Sequence, residues 1–168
     1  MNILFVCTGN TCRSPMAEAL FRKAAAERGV GDRFRVLSCG LAAADGMPAS
    51  DNAVAAAAEL GADLSEHRSR PAAPELFAEA DAVYCMSPAH RTAIVAALPQ
   101  LAGRIFVLDP PIPDPFGGDL TVYRGTARAL ETAVSGLLDA LCETSGPAGK
   151  NTAEQPEQKP ETEGGTDA

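Results

Sequence analysis

The chain has 168 residues, 46% of them hydrophobic and 21% charged, with a formal net charge of −8. That length supports one domain around a single core, and the acidic balance argues against a nucleic-acid groove or docking to an anionic membrane, since either calls for a broad basic face. An anionic substrate must therefore meet a locally positive site.

In chain order, Asn2 to Val6 is a short apolar run that reads as a strand. It leads straight into Cys7 without a basic segment before it. No stretch of about 18 apolar residues occurs anywhere, so neither an export signal nor a membrane span is expected. Thr8-Gly9-Asn10 interrupts the chain before an alanine- and leucine-rich segment, Pro15 to Arg28, that reads as a helix with Pro15 in its first turn and Ser14 at the capping position. Gly29 and Gly31 end it. Phe34 to Ser38 reads as a second strand, and Asp51 to Leu60 as a helix stopped by Gly61. Ala82 to Met86 reads as a third strand, Ala89 to Leu98 as a helix started by Ser87-Pro88, and Ile105 to Leu108 as a fourth strand. A proline-rich stretch, Pro110 to Pro115, precedes a last helix near Thr121 to Leu141, with an apolar stripe at Ala127, Leu130, Val134, Leu137, Leu138 and Leu141. Strands alternating with helices predict an α/β fold: a four-stranded parallel sheet with helices on both faces and a ligand site beyond the carboxyl ends of the strands. Cys7 lies at such an end.

Residues 1–144 are thus expected to form the domain. The segment 145–168, rich in Gly, Pro, Thr, Glu and Gln, has no aromatic or branched aliphatic residue to bury and is expected to be a disordered tail. Its five acids against two lysines hold three of the eight net negative charges.

Five cysteines, Cys7, Cys12, Cys39, Cys85 and Cys142, are an odd number, without a repeated CxxC unit or paired histidines. Neither a disulfide framework nor a metal site is expected, and no cofactor; the usage fits a reducing cytoplasm with one reactive thiol.

Residues 7 to 14, Cys-Thr-Gly-Asn-Thr-Cys-Arg-Ser, fit Cys-x5-Arg-Ser/Thr between a strand and a helix. On the order of one chain in a hundred this long carries that pattern by chance, and far fewer carry it at a strand-to-helix turn containing glycine. A phosphoryl group in transfer spreads charge over three oxygens, which calls for a ring of donors and a fixed cation. Backbone N–H groups of a loop entering a helix supply the ring, and Arg13 supplies a planar fork. The same field favours a thiolate on Cys7, the form that attacks phosphorus to give a phosphocysteine. An arginine in the first turn of a helix is badly placed unless an anion sits there.

Val6 to Glu18, Val-Cys-Thr-Gly-Asn-Thr-Cys-Arg-Ser-Pro-Met-Ala-Glu, resembles the signature of the low-molecular-weight protein tyrosine phosphatase family. Ser38-Cys39-Gly40, His67-Arg68-Ser69-Arg70 and Asp114-Pro115-Phe116-Gly117 are similar to three further segments of that family. The resemblance implies a phosphatase with Cys7 as nucleophile, Arg13 as phosphoryl clamp, and Thr8, Gly9, Asn10, Thr11, Cys12 and Ser14 around the phosphate. It implies that Ser14 hydrogen-bonds the thiolate and that Asn10, Ser38 and His67 hold the loop in shape.

One carboxylic acid can protonate the leaving group and later activate water. Asp109 and Asp114 both precede proline, and spacing does not choose between them; the resemblance chooses Asp114. Thr11 stands where tyrosine-specific members of the family commonly carry Ile or Leu. Phe116 is followed by two glycines instead of a second aromatic, giving a thin specificity wall. These features favour a phosphorylated-protein substrate carrying phosphoarginine, with phosphotyrosine as the alternative. Thiol-dependent arsenate reduction would need a relay of further cysteines. A non-catalytic anion-binding module would not need Cys7, Arg13 and Asp114 together.

Overall fold

A computed structural model of the protein describes residues 1–144; the proposed acidic tail lies outside the described residues. Strands β1 (Asn2–Cys7), β2 (Arg35–Gly40), β3 (Ala82–Cys85) and β4 (Ile105–Val107) form one parallel sheet in the order β2-β1-β3-β4. The helices are α1 (Arg13–Glu27), α2 (Asp51–Glu59), α3 (Pro74–Glu79), α4 (Pro88–Ala97) and α5 (Leu120–Thr144), with short 3-10 turns at Gly31–Arg33 and Pro99–Arg104.

Because successive side chains of a strand point to opposite faces, β1 feeds two cores. Ile3, Phe5 and Cys7 face a cluster completed by Met16, Leu20 and Phe21 of α1, Ala53 and Ala57 of α2, and Leu130, Val134 and Leu138 of α5. Leu4 and Val6 face a smaller one with Phe77 of α3 and Ile94 of α4. A strand buried on both faces reads as an unbroken apolar run, which is what Ile3 to Val6 shows. No helix of the described residues is long and apolar enough to cross a membrane.

Two local expectations need correction. The first helix starts at Arg13, with Cys12 in the cap position and no side-chain cap, so Ser14 is a helical residue and not the cap. Its hydroxyl is engaged instead with Cys7 and Asn10. Helix α3, absent from the sequence reading, is a six-residue turn opened by Pro74 that buries only Phe77, too short to set up a helical period. The other starts hold: Ser50 caps α2 through the Ala53 N–H, and Ser87 caps α4 through the His90 N–H.

The carboxyl end of β1 is held against Gly40, its register partner on β2. A Cβ on Gly40 would lie 2.5 Å from the Thr8 carbonyl oxygen and 2.9 Å from both the Asn10 nitrogen and the Ala43 Cβ. Only a residue without a side chain lets the loop after β1 pack this closely. Gly40→Ala is therefore expected to destabilise the protein by about 1–3 kcal/mol, the usual cost of overpacking. It should also lower turnover by displacing the loop backbone, as thermal unfolding and steady-state kinetics would register together.

Candidate active site

Residues 7 to 13 wrap around the N-terminus of α1. Asn10 has φ 55°, the one non-glycine residue with positive φ among the described residues. Asparagine tolerates this left-handed geometry better than most residues, and alternating backbone hand turns successive N–H groups toward one point, an anion-binding nest. The Asn10 N–H donates to Cys7 Sγ at 3.2 Å, and Ser14 Oγ lies 2.9 Å from the same sulfur.

Hydrogen placement around Asn10 follows from its partners. The Arg70 backbone N–H can only donate, so the Asn10 atom it meets at 2.8 Å is the amide oxygen. The amide NH2 then donates to Ser14 Oγ at 2.8 Å and Ser38 Oγ at 3.0 Å. Ser38 passes its own hydrogen to Glu18 Oε2, and Glu18 is paired with Arg22 at 2.7 Å. With both serines accepting from Asn10, the Ser14 hydrogen is left to donate, with Cys7 Sγ at 2.9 Å the nearer acceptor and the Cys39 carbonyl at 3.4 Å the farther. His67 Nε2 donates to the Asn10 carbonyl at 2.8 Å, which fastens the strained residue from the other side. Ser69 closes the support by accepting from the Met47 N–H and donating to the Ala44 carbonyl.

Arg13 is 5% exposed, with one guanidinium nitrogen 3.1 Å from the Ile112 carbonyl and the other 3.3 Å from Asp114 Oδ2. No acid occupies the first turn of α1 and no side chain caps it. Its positive end is left for an anion. A cavity of about 290 Å³ opens there, lined by residues 7 to 13 with Asp114 and Phe116. Of the residues expected around the phosphate, all but Ser14 line this cavity; Ser14 is buried behind it against Cys7 Sγ. Asp109 lies elsewhere, on a cleft between β4 and α5. Phe116 stands 85% exposed at the rim, followed by Gly117 at φ 82°. A larger cleft of about 390 Å³ behind the loop is walled by Glu18, Ser38, His67 and Arg70 and not by Cys7.

The remaining thiols differ from Cys7. Burial pushes Cys39 and Cys85 up to about 12. Cys142, near the end of α5, packs against the larger core with its sulfur 3.8 Å from the Arg33 guanidinium. Cys39, Cys85 and Cys142 do not line the cavity, and among the described residues Cys12 is the one cysteine that shares it with Cys7. Cys12 lies 3.3 Å from both Ser50 Oγ and Tyr123 Oη. The described residues contain no cluster of His, Cys, Asp and Glu that could hold a metal ion.

The sequence reading missed three neighbours of the loop: Glu18 behind Ser38, Tyr123 against Cys12, and His90 against Thr8, whose Oγ1 lies 2.9 Å from His90 Nε2. Glu18 stands within the quoted signature. No local pattern marks the other two.

A thiol at the end of a central parallel strand, facing a nest of N–H groups and a buried arginine, defines an α/β phosphatase with a phosphate-binding loop. The family model for low molecular weight phosphotyrosine protein phosphatase matches residues 2–146, and the chain belongs to that family. It is 37% identical over 148 residues to a protein-arginine-phosphatase of Bacillus subtilis, covering 84% of this chain and 97% of that one. It is 36% identical over 136 residues to a probable low molecular weight protein-tyrosine-phosphatase, EpsP, of Ralstonia nicotianae, covering 79% and 90%. Among solved structures, a cysteine-to-serine mutant of the YwlE arginine phosphatase with a phosphorylated active-site serine is similar at TM-score 0.82 and 36% identity, over 86% of this chain and 98% of that one.

Proposed function

We infer that this protein phosphatase removes the phosphoryl group from phosphoarginine side chains of proteins in the cytoplasm, through a phosphocysteine on Cys7. Cys7 Sγ attacks phosphorus, forming the S–P bond as the P–N bond breaks, while Arg13 and the loop N–H groups hold the three phosphoryl oxygens. Asp114 gives its proton to the departing guanidinium nitrogen. It then takes a proton from the water that attacks phosphorus, releasing inorganic phosphate and the Cys7 thiolate. The exposed carboxylate beside Arg13 can reach the mouth of the cavity, and the same position lets it pair with a substrate guanidinium. Ser14 serves the thiolate, and Asn10, Ser38 and His67 keep the loop in its strained shape. Support for these roles comes from the hydrogen-bond directions at Asn10 and from the shared cavity.

The observation that carries the arginine reading is Thr11. Its hydroxyl lines the cavity with Cys12 Sγ, 3.8 Å away, as its nearest polar side-chain partner, which leaves it available to a polar substrate group or to water. A tyrosine ring would gain from an aliphatic residue there and from a second aromatic after Phe116, where this chain has Gly117 and Gly118. The protein-arginine-phosphatase similarity supports the same reading.

Wild type is expected to turn over phosphoarginine peptides faster than phosphotyrosine peptides. Thr11→Ile should shift the kcat/KM ratio toward phosphotyrosine by about tenfold to hundredfold, the scale on which one hydroxyl or one small apolar group discriminates. A wild type that prefers phosphotyrosine overturns the arginine assignment and leaves the phosphatase chemistry standing.

A further inference from the structure

His90 is 7% exposed, sits in the first turn of α4, and has both ring nitrogens occupied by hydroxyls from different elements. Nδ1 lies 3.0 Å from Ser87 Oγ, and Nε2 lies 2.9 Å from Thr8 Oγ1 in the phosphate loop. Ser87 Oγ also accepts the His90 backbone N–H at 3.4 Å. Thr8 is exposed on the cavity shared by Cys7, Arg13 and Asp114. A buried imidazole bridging a helix cap to the reacting loop is more than packing requires.

Two proton arrangements satisfy the ring. In one, the Ser87 hydroxyl donates to Nδ1, Nε2–H donates to Thr8, and the Thr8 hydrogen points into the cavity. In the other, Nδ1–H donates to Ser87, the Thr8 hydrogen is spent on Nε2, and the Ser87 hydrogen loses its ring partner. The second arrangement also turns Thr8 lone pairs toward any anion in the cavity. A phosphoryl group therefore selects the first, in which each hydrogen has an acceptor. Burial and the nearby Arg13 guanidinium push His90 down from its ordinary range, outweighing the opposite pull of Asp114. The neutral ring that the scheme requires is thereby favoured at neutral pH.

We propose that His90 is a positioning residue of the phosphatase reaction: by donating Nε2–H to Thr8 Oγ1, it directs the Thr8 hydroxyl hydrogen onto a phosphoryl oxygen in the cavity. This rests on the reading that Cys7 and Arg13 are the reacting pair. It adds a side-chain donor to the ring of backbone N–H groups.

The test is a double-mutant cycle on an aryl phosphate with His90→Leu, Thr8→Val and both together, plus His90→Gln, with thermal unfolding of each. His90→Leu and Thr8→Val are each expected to lower kcat/KM by about tenfold to hundredfold, the usual reach of a partner behind a reacting group. In the Thr8→Val background, His90→Leu should cost nothing further. His90→Gln, whose amide N–H2 falls near the place of Nε2, should restore most of the activity. Equal losses in both backgrounds, or no rescue by His90→Gln in a folded protein, would overturn the proposal. So would wild-type activity in Thr8→Val, a variant that leaves His90 in place and decides the matter even if His90→Leu does not fold. If wild type itself failed to turn over, the phosphatase reading would be the one to fall.

Discussion

Cys7→Ser is expected to stop turnover, lowering kcat on the order of 10⁴- to 10⁶-fold, the range seen when a covalent nucleophile is removed. The substitution is close to isosteric, and every group around position 7 remains. Ser14 Oγ at 2.9 Å, the Asn10 N–H at 3.2 Å and the buried Arg13 are unchanged. What is lost is the reactivity of sulfur, since a hydroxyl is a weak nucleophile without a base beside it. Binding of inorganic phosphate should therefore survive. Any serine that does react should stay phosphorylated, because an alkoxide leaves phosphorus far less readily than a thiolate. The related arginine phosphatase has been captured in that state, as a serine mutant bearing phosphate. Intact-mass measurement after incubation with an aryl phosphate would detect the added phosphoryl group, and multiple turnover at the wild-type rate would remove Cys7 from the reaction.

Arg13→Lys should lower kcat/KM on the order of 10²- to 10³-fold, the cost of losing one preorganised donor to a developing oxyanion. The positive charge is retained, so the variant separates charge from shape. Arg13 has its guanidinium fixed between the Ile112 carbonyl and Asp114, which aims the planar fork across the cavity before any substrate arrives. An ammonium on a flexible stem cannot span both partners and has no second nitrogen to grip two phosphoryl oxygens. The loss should fall mainly on kcat, with the inhibition constant of inorganic phosphate changing much less, because charge attraction persists in the ground state. A variant within a few-fold of wild type would show that Arg13 acts only as a point charge.

The chemistry of the loop was legible because its parts are contiguous. Strand, nest, arginine and helix follow one another from Asn2 to Glu27, and short-range backbone preferences are enough to order them. The same locality explains the error at Ser14. A serine before proline carries a strong capping pattern, but the loop gives way to the helix earlier, at Arg13, and places that hydroxyl 2.9 Å from Cys7 Sγ. Ser38 and His67 entered through the family resemblance, since nothing in their own surroundings marks them. The choice between Asp109 and Asp114 was equally invisible to spacing. In the structure only Asp114 reaches Arg13 and the cavity.

The sequence by itself determined the alternation of strands and helices, the unbroken apolar strand β1, and the loop with its thiol and guanidinium, all of which depend on residues close along the chain. Tertiary structure alone decided that Thr8 meets His90 across 82 positions and Cys12 meets Tyr123 across 111. Those contacts arise because parallel strands send each following loop to the same edge of the sheet. Side chains with no local pattern in common become partners there, and the hydrogen bonds that orient the reacting groups come into being only once the sheet is assembled.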